Sequence, residues 1–180
     1  MSIMIRDGVA TDATALAELA ARTFRETFAA GNRPEDLARH LAHAYGTFQQ
    51  QRELVDPDIA TLLVEVDGQV AGYAQLRSGA PPACVTGEEP VELWRFYIAQ
   101  PWQGRGVARA LMQRVESEAY RRGGRTLWLG VWERNERAKA FYHKNGFMDV
   151  GSHVFMVGTD AQTDRILVRP LPTVISNGAA

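Results

Sequence analysis

Cysteine is nearly missing from this chain: Cys84 stands alone among 180 residues. One thiol cannot close an internal disulfide, so no covalent staple holds the fold, and a reducing compartment is expected. Histidine is scarce as well, at His40, His43, His143 and His153. His40 and His43 have the spacing of a metal pair on one helix face, but no cysteine or acidic partner completes a set, and no metal is expected. An excess of one charge is also lacking. The 20 Lys and Arg against 21 Asp and Glu leave a net charge of −1, without the basic footprint that nucleic acid requires. No apolar run approaches the ~20 residues of a membrane span. The opening MSIMIRDG puts Arg6 and Asp7 where an export signal carries its apolar core, so the cytoplasm is the expected location. There are no repeats, low-complexity segments or internal linkers.

What remains is an ordinary globular composition, with 46% hydrophobic and 23% charged residues. That suits one domain around one core. We expect it to cover residues 1–172, with 173–180 as a frayed tail.

The stretch from Val91 to Gly124 organises the rest. ELWRFYI is a β-branched and aromatic run of strand length, ended by Pro101, which has no N–H to donate. Gln103-Gly104-Arg105-Gly106-Val107-Ala108 follows as a tight loop. Then Ala108, Leu111, Met112, Val115 and Ala119 mark one helical face, closed by Gly123-Gly124. A strand, a glycine loop and a helix start make a phosphate cradle, because the first helical N–H groups are unpaired and the dipole is positive there. A glycine pair alone is also an ordinary strand-to-helix turn. The P-loop ending is absent, and Arg109 stands where the dinucleotide fingerprint needs its third glycine.

The remaining elements follow in order. Ser2–Val9 reads as a strand, with Thr11 as the N-cap of a helix whose buried face is Leu16, Leu19, Ala20, Phe24 and Phe28. Pro34 opens a second helix to about Tyr45, and Gln49–Val55 a short third. Thr61–Val66 and Val70–Leu76 form a hairpin about Asp67-Gly68, followed by a loop over Ser78–Pro90. Thr126–Trp132 is a strand, Glu133–Lys144 a helix, and Phe147–Val157 and Arg165–Val168 the last strands, joined through Gly158-Thr159-Asp160. The fold class is α+β, with a mixed, mainly antiparallel sheet of about seven strands and helices on both faces.

Two motifs carry a family resemblance. Gln103-x-x-Gly106-x-Ala108 after a hydrophobic strand resembles the first signature of the GCN5-related N-acetyltransferases (GNAT). Asn135-x-x-Ala138-x-x-Phe141-Tyr142-x-x-x-Gly146-Phe147 resembles the second. The order and spacing agree, and the element order is that family's. The resemblance implies a parallel strand pair, ending at Ile98 and starting at Thr126, that splays apart to admit pantetheine. It implies acetyl-CoA as co-substrate, with the main chain of Phe96, Tyr97 and Ile98 and the residues Gln103, Gly104, Arg105, Gly106, Val107, Ala108, Asn135, Ala138, Tyr142 and Lys144 around it. The run Gly151–Asp164 and Trp128–Glu133 further resemble the PaiA-type spermine/spermidine acetyltransferases. Read from its residues alone, Asp160–Asp164 is a polar hairpin.

Acetyl transfer to an amine needs a proton acceptor, an oxyanion donor, an acid for the thiolate and a holder for the cofactor. Glu92 lies where several members of the family carry a catalytic glutamate, and it is the candidate base. The bland alternative is a carboxylate that attracts a cation or pairs with Arg95. Strict alternation puts Glu92, Trp94, Phe96 and Ile98 on one strand face and Leu93, Arg95 and Tyr97 on the other. Tyr142 is the candidate acid, against a plain core pair with Phe141. A helical stripe of Asn135, Ala138, Lys139 and Tyr142 would face the same groove. Phe28, Glu92 and Trp94 are expected to contact a small primary amine, with Glu26, Glu35, Asp36, Glu88 and Glu89 near its entrance. The expected reaction is direct attack in a ternary complex by a monomer or homodimer, with no nucleic acid or membrane partner. A polyamine, another small amine, an antibiotic or a protein N-terminus are the acceptor classes; a non-catalytic acetyl-CoA sensor is the alternative of another kind.

Overall fold

A computed structural model describes residues 1–157 and 159–172. The turn residue Gly158 and the expected tail at 173–180 lie outside the described residues. Seven strands form one sheet in the order β1-β2-β3-β4-β5-β7-β6. They are β1 (Ile3–Asp7), β2 (Ile59–Val66), β3 (Gln69–Arg77), β4 (Pro90–Ile98), β5 (Thr126–Trp132), β6 (Met148–Val157) and β7 (Asp160–Pro170). Every neighbouring pair is antiparallel except β4 and β5. The family of folds expected from the sequence is the one found.

Five helices cover the sheet: α1 (Ala13–Phe28), α2 (Pro34–Ala44), α3 (Thr47–Val55), α4 (Val107–Arg121) and α5 (Glu136–Lys144). Residues α1 to α3 contribute pack with Leu63 and Tyr73 on one face. α4 and α5 pack on the other, where Leu111, Met112 and Val115 meet Leu62, Val64 and Leu127. The predicted stripe Leu16, Leu19, Ala20, Phe24 and Phe28 is buried in full. Asp67 and Gly68 both take positive φ, 50° and 81°, the backbone a two-residue hairpin turn needs.

Several boundaries differ from expectation by one or two residues, and three differ for an identifiable reason. Thr11 is not the cap of α1. It lies in a 3-10 turn, Ala10–Asp12, that leads into the helix. Asp12 there accepts from the Val9 N–H at 2.8 Å and is held by Arg6 through two hydrogen bonds. α5 begins at Glu136 rather than Glu133, because the Asn135 side chain accepts from the Ala138 N–H at 3.1 Å and caps it. β7 starts at Asp160, five residues before the expected strand. Its polar first half alternates as a strand does, burying Gln162 and Asp164 in line with Ile166.

Candidate active site

β4 and β5 pair only at Pro90–Thr126, Val91–Leu127 and Glu92–Trp128. Beyond that point they part, while β4 keeps β3 along its other edge as far as Ile98. A groove of about 1220 Å³ passes through the gap and opens on both faces of the sheet. Its two sides are sorted by a bulge. On β3, Gln75 pairs with Arg95 and the next residue, Leu76, with Leu93, so Trp94 is the extra residue. Strict alternation therefore fails at Trp94. Glu92, Arg95 and Tyr97 share the face of Arg77, Gln75 and Tyr73, while Leu93, Phe96 and Ile98 join Val91 in the core under α4. The expected grouping of Glu92 with Phe96 and Ile98 is corrected by that one residue.

The α4–α5 side carries the glycine loop. Gly104 and Gly106 have φ of 74° and 83°, and nothing lies within 4 Å of where a Cβ would stand on either. Such backbone favours glycine, and the open space lets an anion reach the amides. Gly106 is the N-cap of α4, and the first helical hydrogen bond runs from the Ala110 N–H to its carbonyl. The N–H groups of Val107, Ala108 and Arg109 precede that bond. Val107 buries its side chain completely, and Ala108 packs beside it. Arg105 is exposed, 5.7 Å from the Trp102 ring. The Gln103 side chain has structural work at both ends. Its amide donates to the Ile98 carbonyl at 2.7 Å, and its oxygen accepts from Arg137 at 2.5 Å. Arg109, Arg137 and Lys144 line this side, three cations suited to phosphate.

Tyr142 and Ala138 line the groove near the gap. The Tyr142 ring packs edge-on to Phe96, Phe141 and Phe147, with centroids 6.3, 5.5 and 5.5 Å away. Burial pushes its phenol above the ordinary range, so it keeps its proton at neutral pH. Asn135 also lines the groove, but its oxygen is occupied by the cap, and Lys139 turns away to Glu136 and the Glu133 carbonyl. The expected stripe is thus reduced to Ala138 and Tyr142, with Asn135 just before the helix.

The opposite side is built from side chains. Phe28, expected to contact the amine, stacks on Phe24 at 4.3 Å and meets Trp132 at 5.4 Å. His40 stacks on Phe24 at 4.6 Å and approaches Phe155 at 5.7 Å. Burial lowers its pKa, with Arg95 and His43 acting the same way. Trp94 lies against two guanidiniums, Arg95 at 3.7 Å and Arg77 at 4.1 Å from its ring centre. Glu92 accepts from Arg77 Nε at 2.5 Å. Its ion-pair partner is therefore Arg77, not Arg95. Arg95 is buried and gives its Nη1 protons to Glu53 at 2.5 Å and Gln75 at 2.7 Å. Of the acids expected near an amine entrance, Glu26 and Glu92 line the groove. Asp36 is instead buried beneath the β6–β7 turn, accepting from Thr159 N at 2.9 Å and Oγ at 2.8 Å. The sequence reading missed Asp164, His153, Tyr45 and Trp132, all of which line the groove. Among the described residues no three His, Cys, Asp or Glu gather as a metal set.

The sheet thus splits at its parallel pair, with a glycine loop and a helix start on one side of the groove and a pocket of side chains on the other. The model of the acetyltransferase (GNAT) family matches residues 14–147, and the chain belongs to that family. An uncharacterized N-acetyltransferase of the pepI 3′ region of Lactobacillus delbrueckii subsp. lactis is 35% identical over 83% of this chain and 86% of its own. Among solved structures, the PaiA N-acetyltransferase of Thermoplasma acidophilum, in complex with coenzyme A, superposes with a TM-score of 0.76 at 24% identity, covering 94% of this chain and 99% of that one. The yncA structure from Salmonella typhimurium, with its cofactor acetyl-CoA, gives 0.66 at 23% identity over 100% of both chains. The chain is an acetyl-CoA-dependent N-acetyltransferase.

Proposed function

We propose that this enzyme acetylates a small primary amine by direct attack in a ternary complex. One observation carries the reading: the cradle and the carboxylate-bearing pocket meet through the gap between β4 and β5. The amides from Gln103 to Ala108 hold the pyrophosphate, Arg109, Arg137 and Lys144 hold the remaining phosphate charge, and the free β4 edge at Phe96 to Ile98 aligns the pantetheine. Tyr142 stands on the carrier side of the gap with its proton retained, the state required to protonate a departing thiolate.

Phe28 and Trp94 shape the acceptor side. Glu92 acts there through charge, since Arg77 occupies one of its oxygens. Spermidine heads the acceptors to try, supported by the C-terminal resemblance and by Glu26 and Asp164 in the pocket. We read a single domain over residues 1–172 acting in the cytoplasm as a monomer or homodimer, without nucleic acid or membrane partners.

The test is thiol release from acetyl-CoA with n-butylamine, putrescine, spermidine and a short peptide bearing a free N-terminus. Amine-dependent release is expected. Tight acetyl-CoA binding without release for any acceptor would instead make the protein a sensor.

A further inference from the structure

Two groups in the pocket have no role in the reaction as described so far. Asp164 on β7 is buried, and its cross-strand neighbour on β6 is His153, with Oδ2 3.8 Å from Nε2. Both line the groove. Gly130 explains how they come to border the gap. β5 is buried from Thr126 to Val131 except at Gly130, which is exposed. That residue lies just past the last β4–β5 pair, where the strands have parted. A Cβ built on it would stand 3.2 Å from both Asp164 Oδ2 and His153 Nε2. Bare main chain at this position lets the carboxylate and imidazole lean over the strand towards the opening.

The surroundings suit a group that gains and loses a proton near neutrality. Burial pushes the Asp164 carboxyl up to about 6. His153 from β6 opposes that rise, and Glu133, just past β5, adds to it. The other carboxylate near the vertex of the gap, Glu92, is tied to Arg77.

We propose that Asp164, positioned by His153 over Gly130, accepts the proton of the incoming ammonium. The assignment rests on the acetyl-transfer reading above. The ammonium gives one proton to the Asp164 carboxylate, and the freed nitrogen lone pair attacks the acetyl carbonyl carbon. The C–N bond forms and the C–S bond breaks. The departing sulfur takes the phenolic proton of Tyr142, and the second N–H proton returns to that phenolate through solvent. Asp164 then loses its proton to bulk water, so each turnover releases one proton.

Asp164→Asn in the full chain tests this with the fastest amine of the panel. The acetyl-CoA affinity, read by calorimetry, should be unchanged. kcat/KM should fall ~10²–10⁴-fold, the range for a lost general base. The wild-type rate should rise with pH through an ionisation near 6, and the variant should lose that limb. His153→Gln removes the group that favours the charged carboxylate and holds it over Gly130, so the limb should move to higher pH and the plateau should fall, by less than in Asp164→Asn. An Asp164→Asn enzyme with the wild-type plateau and limb overturns the assignment and leaves acetyl transfer standing. Absence of thiol release by wild type with every amine overturns both. A ¹³C titration of the Asp164 carboxyl in wild type ties the limb to this residue: a carboxyl midpoint near 6 that coincides with the kinetic limb supports the role, and a limb that does not follow the carboxyl overturns it.

Discussion

The two sides of the groove are made of different materials. The carrier side is mostly main chain: a loop with two left-handed glycines, the start of α4 and a free strand edge. The acceptor side is mostly side chains, drawn from α1, α2, β3, β4, β5, β6 and β7. Backbone amides present the same donors whatever the side chains are, so the loop from Gln103 to Ala108 should tolerate substitution wherever glycine and the helix start are kept. On the acceptor side each aromatic or charged group is a separate choice. The sides also differ below the surface. The acceptor wall rests on the buried Glu53–Arg95 pair with Gln75, a polar layer beneath Tyr45 and Trp94.

The sharpest way to break this contrast is Gly106→Glu. It places a carboxylate at the phosphate cradle and a side chain at a left-handed position, which costs roughly 1–2 kcal/mol of stability. Acetyl-CoA binding should vanish in calorimetry while the circular dichroism stays native. Retained affinity would place the pyrophosphate elsewhere. Tyr142→Phe should come next in size. It keeps the ring among Phe96, Phe141 and Phe147 and removes the proton, so kcat should drop ~10²–10⁴-fold with acetyl-CoA affinity unchanged. A wild-type kcat would make the tyrosine a packing residue.

Glu53→Gln separates the two sides by their foundations. It leaves Arg95 buried without its counter-charge, a change that costs about 3–5 kcal/mol. Denaturant titration should show that loss, and the amine KM should rise while acetyl-CoA still binds. A stability change below ~1 kcal/mol would mean that water or Gln75 satisfies Arg95 alone. The smallest effect belongs to Glu92→Gln. If Glu92 acts by charge, the KM of a cationic amine should rise several-fold with kcat near wild type, and added salt should shrink the difference. A kcat deficit that recovers at high pH would return the base role to Glu92.

The carrier side was legible in the sequence because it is local. Gln103 to Ala108 is one contiguous loop, and Asn135 to Phe147 one helix with its caps. The acceptor side was not, because strand pairing creates it. His153 and Asp164 are far from Phe28 in the chain, and only the β6–β7 register sets them side by side. Asp160, Gln162 and Asp164 looked like a turn because polar residues with period-two spacing carry no hydrophobic signal. Gln162 is buried all the same, with its amide donating to Asn32 at 2.5 Å and Asp160 at 2.8 Å. The face assignment along β4 failed for a different reason: a single inserted residue reverses parity, and nothing in ELWRFYI announces it. Asn135 was placed inside the helix because its spacing to Tyr142 fits a helical stripe, whereas its side chain stops the helix from extending further back.

The bulge at Trp94 has a practical consequence for anyone redirecting this enzyme to a new acceptor. A library that randomised every second position from Glu92 would hit 92, 94, 96 and 98, half of them in the hydrophobic interior beneath α4. Most of its clones would be lost to misfolding before any was screened. The productive codons are 92, 95 and 97, which share the pocket face, together with 94 itself. Position 95 should be held as arginine unless Glu53 is varied with it, because the two are one buried unit. Deleting codon 94 would be the most instructive clone of all: it would remove the unpaired residue, leave Glu92, Arg95 and Tyr97 on the pocket face opposite Arg77, Gln75 and Tyr73, and strip only the Trp94 ring from the acceptor wall.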